Sequence, residues 1–176
     1  DGISKAFAAT GVRVGWALGP ELVLSKMKAI NSHVGAWSPM AEQNATARFL
    51  LQKDEVDEYL SNFKEELNER LQSIYEGFQQ LKSEGFPVDA CAPQAAIYLT
   101  IQLSLASKTT KNGDFLSTQA DVTADILNTA KLAVVPFYAF GAPKDSDWYR
   151  LSVGTCKKEE IPAMLEQLRV ALGKLK

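Results

Sequence analysis

A chain of 176 residues, 46% hydrophobic and 23% charged, has the make-up of ordinary globular protein and is long enough for one compact domain, or one domain with a piece of another. Its net charge of -2 leaves no basic excess for a nucleic-acid surface, and no apolar run is long enough to cross a membrane. Two distant cysteines, Cys91 and Cys156, in neither metal nor redox spacing, read as free buried thiols of a reducing compartment, while a single histidine, His33, excludes a histidine-rich metal site and leaves little room for Ser-His-Asp chemistry.

The first residue is Asp1 rather than Met, and the opening already reads as the middle of a motif, so a piece of a longer polypeptide is expected. No signal peptide is seen, and a cytoplasmic location is expected. Val12 to Leu18 alternates loosely and stops at Gly19-Pro20, which reads as a short strand and turn. Pro20 suits the first turn of a helix carrying Leu22, Val23, Met27 and Ile30 at helical spacing. Ser38 is a candidate N-cap for a second helix, with Pro39 at its first position and Gln43 to Leu51 continuing it.

The clearest element runs from about Asp54 to Glu84. Val56, Tyr59, Leu60, Phe63, Leu67, Leu71, Ile74, Phe78 and Leu81 follow one another at gaps of 3, 1, 3, 4, 4, 3, 4 and 3, a single stripe on a helix. Gly85 and Pro87 end it. At ~1.5 Å per residue it spans roughly 45 Å, a length suited to bridging parts of a structure. Three strands are expected beyond it, at Ala95–Ile101, Ala133–Pro136 and Trp148–Val153. A polar loop fills Ser104–Ser117, a helix Asp121–Leu132, and a closing amphipathic helix carries Ile161, Met164, Leu165, Leu168 and Leu172. Pro162 must lie near that last helix's first turn. Interleaved strands and helices make the class α/β or α+β.

The opening run Ser4-Lys5-Ala6-Phe7-Ala8-Ala9-Thr10-Gly11-Val12-Arg13-Val14-Gly15 sets a lysine eight positions before an arginine, with glycines on both sides of the arginine. A lysine near its free pKa of ~10.4 is protonated and not nucleophilic; burial or a neighbouring cation lowers that value and frees the amine to attack an aldehyde. An arginine's planar fork suits phosphate, and glycines let backbone approach a ligand closely. The run closely resembles the lysine motif of class I/II aminotransferases, of the fold-type I, aspartate aminotransferase-like superfamily. The resemblance implies that Lys5 forms the internal aldimine, a Schiff base, with pyridoxal 5'-phosphate, that Arg13 pairs with the cofactor phosphate, and that Ser4 helps bind it. Many family members carry a second hydroxyl residue three positions before the lysine; here Gly2 stands there.

A second match is Trp148-Tyr149-Arg150-Leu151-Ser152-Val153, similar to the family's strand bearing the arginine that clamps the substrate α-carboxylate. Alternation puts Tyr149, Leu151 and Val153 on the core face and Arg150 on the other, with Trp148 and Ser152. Pro93 to Tyr98 resembles the small-domain P-x-G-x-F/Y strand with Ala95 in place of glycine, and Val134 to Gly141 resembles V-x-P-G-x-x-F-G with Phe137 in place of the first glycine. Ser32 to Gln43 resembles a segment near the family's dimer interface.

The resemblance implies a C-terminal part of a fold-type I transferase: residues 1–55 as a remnant of the large cofactor-binding domain, and 56–176 as a small α+β domain, a small sheet with flanking helices and a long interdomain helix. It also implies amino acid and 2-oxo acid substrates and a homodimeric parent, with no metal, nucleic acid or membrane partner. The missing upstream parts of the site lead to the expectation that this polypeptide alone is inactive and binds cofactor weakly at most, with Asp1 to about Lys53 poorly anchored. A lyase or synthase of the superfamily shares the same lysine and arginines, and the ligand-sensing module of a regulator remains an alternative; the residues do not choose the substrate.

Overall fold

The computed structural model describes residues 1–176 and divides into two compact units, Asp1–Lys64 and Glu65–Lys176. The first holds helices α1 (Ile3–Ala6), α2 (Glu21–Val34) and α3 (Met40–Leu50) and the start of α4 (Lys53–Ser83), which runs across the boundary. The second holds the rest of α4, strands β1 (Val88–Ala90) and β2 (Tyr98–Leu103), α5 (Gln119–Ala130), β3 (Val135–Pro136), β4 (Trp148–Ser152) and α6 (Ile161–Leu172). No helix is long and apolar enough to cross a membrane.

In the first unit, the strand expected over Val12–Leu18 is reduced to one bridge, Gly2 opposite Gly15. The Ile3 amide donates to the Val14 carbonyl at 3.3 Å and the Trp16 amide to the Asp1 carbonyl at 2.8 Å. Only Asp1 to Ile3 lie alongside this segment, and Arg13 enters it from a left-handed turn with φ of 59°, so the extended run is short. Pro20 and Pro39 each occupy the N-cap, one place earlier than their expected position inside the first turn. Ser38 makes no side-chain cap; its carbonyl instead accepts from the Gln43 side-chain amide at 2.7 Å. α2 buries none of its residues, and Leu22, Val23, Ile30 and Val34 are exposed.

In the second unit the stripe along α4 is realised as read: Leu67, Leu71, Ile74, Phe78 and Leu81 are buried. The helix ends in a left-handed Gly85 with φ of 93°, after which the Phe86 amide donates to the Leu81 carbonyl. Gly77, the one weak helix former in the stripe, has a packing reason. A Cβ there would lie 2.2 Å from Cδ1 of Leu165 on α6, so the absent side chain lets the two helices meet.

The sheet is antiparallel throughout, in the order β1-β2-β4-β3. β1 is a strand that periodicity did not reveal, because three residues between Pro87 and Cys91 carry too short a pattern. β2 begins at Tyr98 rather than Ala95, since Ala96 adopts a left-handed φ of 66° that interrupts the extended run. Only Val135 and Pro136 of the strand expected over Ala133–Pro136 pair, and Phe137–Phe140 then tightens into a 3₁₀ turn. α5 starts with a capping box: the Thr118 hydroxyl accepts from the Asp121 amide, and the Asp121 carboxylate accepts from the Thr118 amide at 2.8 Å. One sheet face, with Leu99, Ile101, Leu103, Tyr149 and Leu151, forms a core with Phe78, Leu81, Ile126 and Leu168 of the helices. Burying each such side chain contributes about 1.5–3 kcal/mol. The opposite face carries Tyr98, Thr100 and Gln102 of β2 against Ser152, Arg150 and Trp148 of β4.

Candidate active site

Lys5 sits on α1, a single turn of helix held from both sides. The Gly2–Gly15 bridge fixes the start of that turn. An aromatic cluster fixes its end: Phe7 meets Phe49 edge-on at 5.5 Å and stacks on Tyr59 at 6.0 Å, and Tyr59 stacks on Phe63 at 5.8 Å. The Tyr59 hydroxyl donates to the Phe7 carbonyl at 3.0 Å. Aromatic pairs of this kind add about 0.5–1.5 kcal/mol each beyond their buried area. Ile3 and Val14 are buried beneath the turn, while the Lys5 side chain is exposed and joins no ion pair.

Arg13 is exposed in its left-handed turn, and its Nη1 donates to the Thr10 carbonyl at 3.0 Å. That contact leaves the rest of the guanidinium fork free. Ser4 is half-buried. Gly2, where many family members carry a hydroxyl residue, has a local cause: a Cβ there would stand 3.0 Å from the Val14 carbonyl oxygen and 3.1 Å from Gly15 Cα. At Gly15 a Cβ would stand 3.1 Å from the Asp1 carbonyl oxygen. Both glycines serve the close approach of two backbone segments. Gly11 has open space around it.

In the second unit, Arg150 projects from the outer face of β4, opposite Thr100 of β2 and Val135 of β3. Its guanidinium carbon lies 4.5 Å from the centre of the Tyr98 ring and 4.6 Å from that of Phe140. Its Nε is buried without a hydrogen-bond partner. The ion pairs of the chain engage Lys53, Arg70, Lys82, Lys158 and Arg169, and none includes Arg150. An open pocket of about 330 Å³ lies beside it, lined by Phe137, Phe140, Ala142 and Arg150. A buried charged donor with no partner costs about 1–3 kcal/mol or more, a cost that an incoming carboxylate removes. Behind the strand, Tyr149 points into the core and its hydroxyl donates to the Gln119 side-chain oxygen. Burial, with smaller contributions from Asp147 and Tyr138, pushes the Tyr149 phenol far above its ordinary range, so it remains a neutral donor.

Tyr98 and Phe140 fall inside the two segments read as partial motif matches, but the sequence assigned them no role. A usable signal was present: an aromatic residue at the last place of one motif and the last but one of the other. What the sequence did not display is that strand pairing sets both beside Arg150.

The first unit thus carries a lysine turn closed by a glycine bridge, and the second a small antiparallel sheet bearing an arginine whose Nε is unpaired. Residues 1–168 match the family "Aminotransferase class I and II", and the chain belongs to that family. It is 28% identical over 176 residues to an aspartate aminotransferase of Rhizobium meliloti (strain 1021), covering 99% of this chain and 40% of that protein. It is 31% identical over 157 residues to an aspartate aminotransferase of Geobacillus stearothermophilus, covering 88% and 36%. The crystal structure of the Rhizobium meliloti aspartate aminotransferase superposes with a TM-score of 0.81 at 28% identity, over 99% of this chain and 41% of that one. Thermus thermophilus aspartate aminotransferase with maleate gives 0.80 at 26%, over 97% and 40%. The chain thus spans about 40% of the length of these relatives.

Proposed function

We propose that this chain supplies the lysine and the carboxylate-binding arginine of a pyridoxal-phosphate-dependent aminotransferase, which moves an amino group between an amino acid and a 2-oxo acid. The observation that carries the reading is Arg150, its Nε buried and unpaired and its guanidinium over two rings beside an open pocket. Residues 1–55 are then the remnant of a large cofactor-binding domain, and 56–176 a small domain.

The residues of the first unit fit the cofactor chemically. The Lys5 amine is exposed and outside any ion pair, so an aldehyde can reach it, and an exposed guanidinium with free donors suits a phosphate dianion. Lys5 would hold the cofactor through its amine, and Arg13 and Ser4 would hold its phosphate. When bound, the cofactor supplies an electron sink for the substrate Cα. The Lys5 amine would then be the group that moves the proton at that Cα. Arg150 accepts the substrate α-carboxylate on its fork and thereby fixes the direction of the Cα–H bond. The aromatic cluster around Phe7 keeps the Lys5 turn from fraying.

Assembly as a homodimer is supported by Val34, Trp37 and Met40, which are exposed at 67%, 63% and 69% in the segment noted for its resemblance to a dimer interface. Both cysteines are free, Cys91 exposed and Cys156 half-buried rather than both buried as expected, and free thiols suit a reducing, cytoplasmic setting.

The test is reductive trapping in the polypeptide that carries this segment. Borohydride added with pyridoxal 5'-phosphate is expected to fix a pyridoxyl group on Lys5, and Lys5→Ala to abolish it. Labelling centred on another lysine, or none, refutes the assignment. Arg150→Lys is expected to raise KM for amino acid and 2-oxo acid roughly tenfold or more, because a point charge replaces the fork.

A further inference from the structure

We propose that Tyr98 and Phe140 are positioning residues for Arg150, two rings that set the plane of the guanidinium so that its donor edge meets a carboxylate in the adjoining pocket. The proposal rests on the reading of Arg150 as the carboxylate clamp. Its own support is geometric. The Arg150 guanidinium carbon lies 4.5 Å and 4.6 Å from the two ring centres, within the range where a cation is drawn to a ring face.

The two rings arrive by separate routes. Tyr98 opens β2, opposite Ser152, two residues along from the Thr100–Arg150 pair, so it stands on the same sheet face as Arg150. Phe140 comes from the 3₁₀ turn that follows β3, where it packs edge-on against Phe137 at 6.4 Å and is closed off by the left-handed Gly141. Phe140 is 56% exposed, far more than a ring placed for core packing. On the wall of the pocket it meets Phe137 and Arg150.

An arginine side chain has several rotatable bonds, and an unpaired one on a sheet face would sample many rotamers. No carboxylate or carbonyl of this chain holds Arg150; the rings are the contacts that oppose that sampling. They do so without using a donor, so the fork stays available to a ligand. A carboxylate partner from the protein would compete with the ligand's own carboxylate, and aromatic rings avoid that competition.

The test uses the 176-residue chain with 3-phenylpropionate as the carboxylate probe, followed by NMR of the Arg150 Nε–H. Phe140→Leu is expected to weaken the probe roughly three- to tenfold, as is Tyr98→Leu. Tyr98→Phe, which keeps the ring, is expected to retain affinity. Benzyl alcohol, which lacks the carboxylate, should shift the Arg150 signal in no variant. Loss of affinity in Phe140→Leu with an unchanged spectrum elsewhere separates positioning from a folding defect, since this exposed ring contributes little to the core. If Arg150→Lys removes binding while Phe140→Leu and Tyr98→Leu leave it unchanged, the clamp stands and the positioning role falls. If the probe shifts Arg150 in no form of the chain, both fall.

Discussion

Tyr149→Phe and Gln119→Leu, made singly and together, would report how firmly the strand carrying Arg150 is tied to the helix behind it. The Tyr149 hydroxyl donates to the Gln119 side-chain oxygen, and the two residues are 0% and 3% exposed. Tyr149→Phe deletes only an oxygen, but it strands the Gln119 oxygen in a site water does not reach. Gln119→Leu keeps the volume and strands the hydroxyl. Each is expected to cost about 1–3 kcal/mol, the net bond plus the desolvation of the orphaned partner. The double variant replaces both polar groups with apolar ones of similar shape and should lie close to the wild type, giving a coupling energy of about 1–3 kcal/mol. Urea unfolding followed by circular dichroism measures all four corners of the cycle. The burial that raises the Tyr149 phenol also keeps the bond in place as the pH rises toward 9, so the coupling should be constant there. Additive single effects, with the double variant the least stable of the four, would refute the claim that one buried bond joins β4 to α5.

Two further outcomes concern the rest of the chain. Gly15→Ala should lift the Gly2–Gly15 pairing, because the new methyl would stand 3.1 Å from the Asp1 carbonyl oxygen. Amide exchange at Ile3 and Trp16 is expected to accelerate, at a local cost of about 1–3 kcal/mol, and unchanged protection would refute it. Acid is expected to weaken the second unit. Asp121 is held below its usual range by hydrogen bonds first from Thr118 and then Ser117, Asp89 first by the Lys82 bond, and Glu84 first by the Arg169 bond. Folded values below unfolded ones make these carboxylates stabilising above the ordinary carboxylate pKa of about 4, with the benefit lost as pH falls through the folded values. The thermal midpoint should therefore hold from pH 7 to about 5 and fall below about 4, less steeply in Asp121→Asn; a midpoint indifferent to acid would contradict the assignment.

The helices were legible because their chemistry repeats. The α4 stripe runs over Leu67, Leu71, Ile74, Phe78 and Leu81, and a long period survives errors at its ends. The core face of β4 was legible for the same reason at period two, with Tyr149 and Leu151 buried. β1 was not, since three residues carry no period. Neither was the late start of β2, which depends on the left-handed turn at Ala96, a conformation that alanine does not advertise. The lysine run suggested its residues through its resemblance to a family motif, but the reason for Gly2 and Gly15 lay in a backbone contact between segments 13 residues apart in sequence. The partners of Arg150 were hidden in a stricter sense. Tyr98 and Phe140 come from opposite sides of the arginine's strand, and sheet order decides that they meet it.

The other arginines of the second unit sharpen what Arg150 is for. Arg70 pairs with Glu66 one helical turn away, and Arg169 pairs with Glu84 and Glu166. These serve the fold in the usual way, as half-exposed charges with a carboxylate at hand, each contributing little to stability. Arg150 has no such partner, and its Nε is buried. A side chain chosen only for the fold would gain from a leucine or valine at this position, since the rings of Tyr98 and Phe140 would cover an aliphatic group as well as a cation and no donor would be stranded. The sheet therefore carries a cost that its own packing does not recover. On the reading proposed for Arg150, that cost is recovered when a carboxylate reaches the fork from the pocket bounded by Phe137, Phe140 and Ala142.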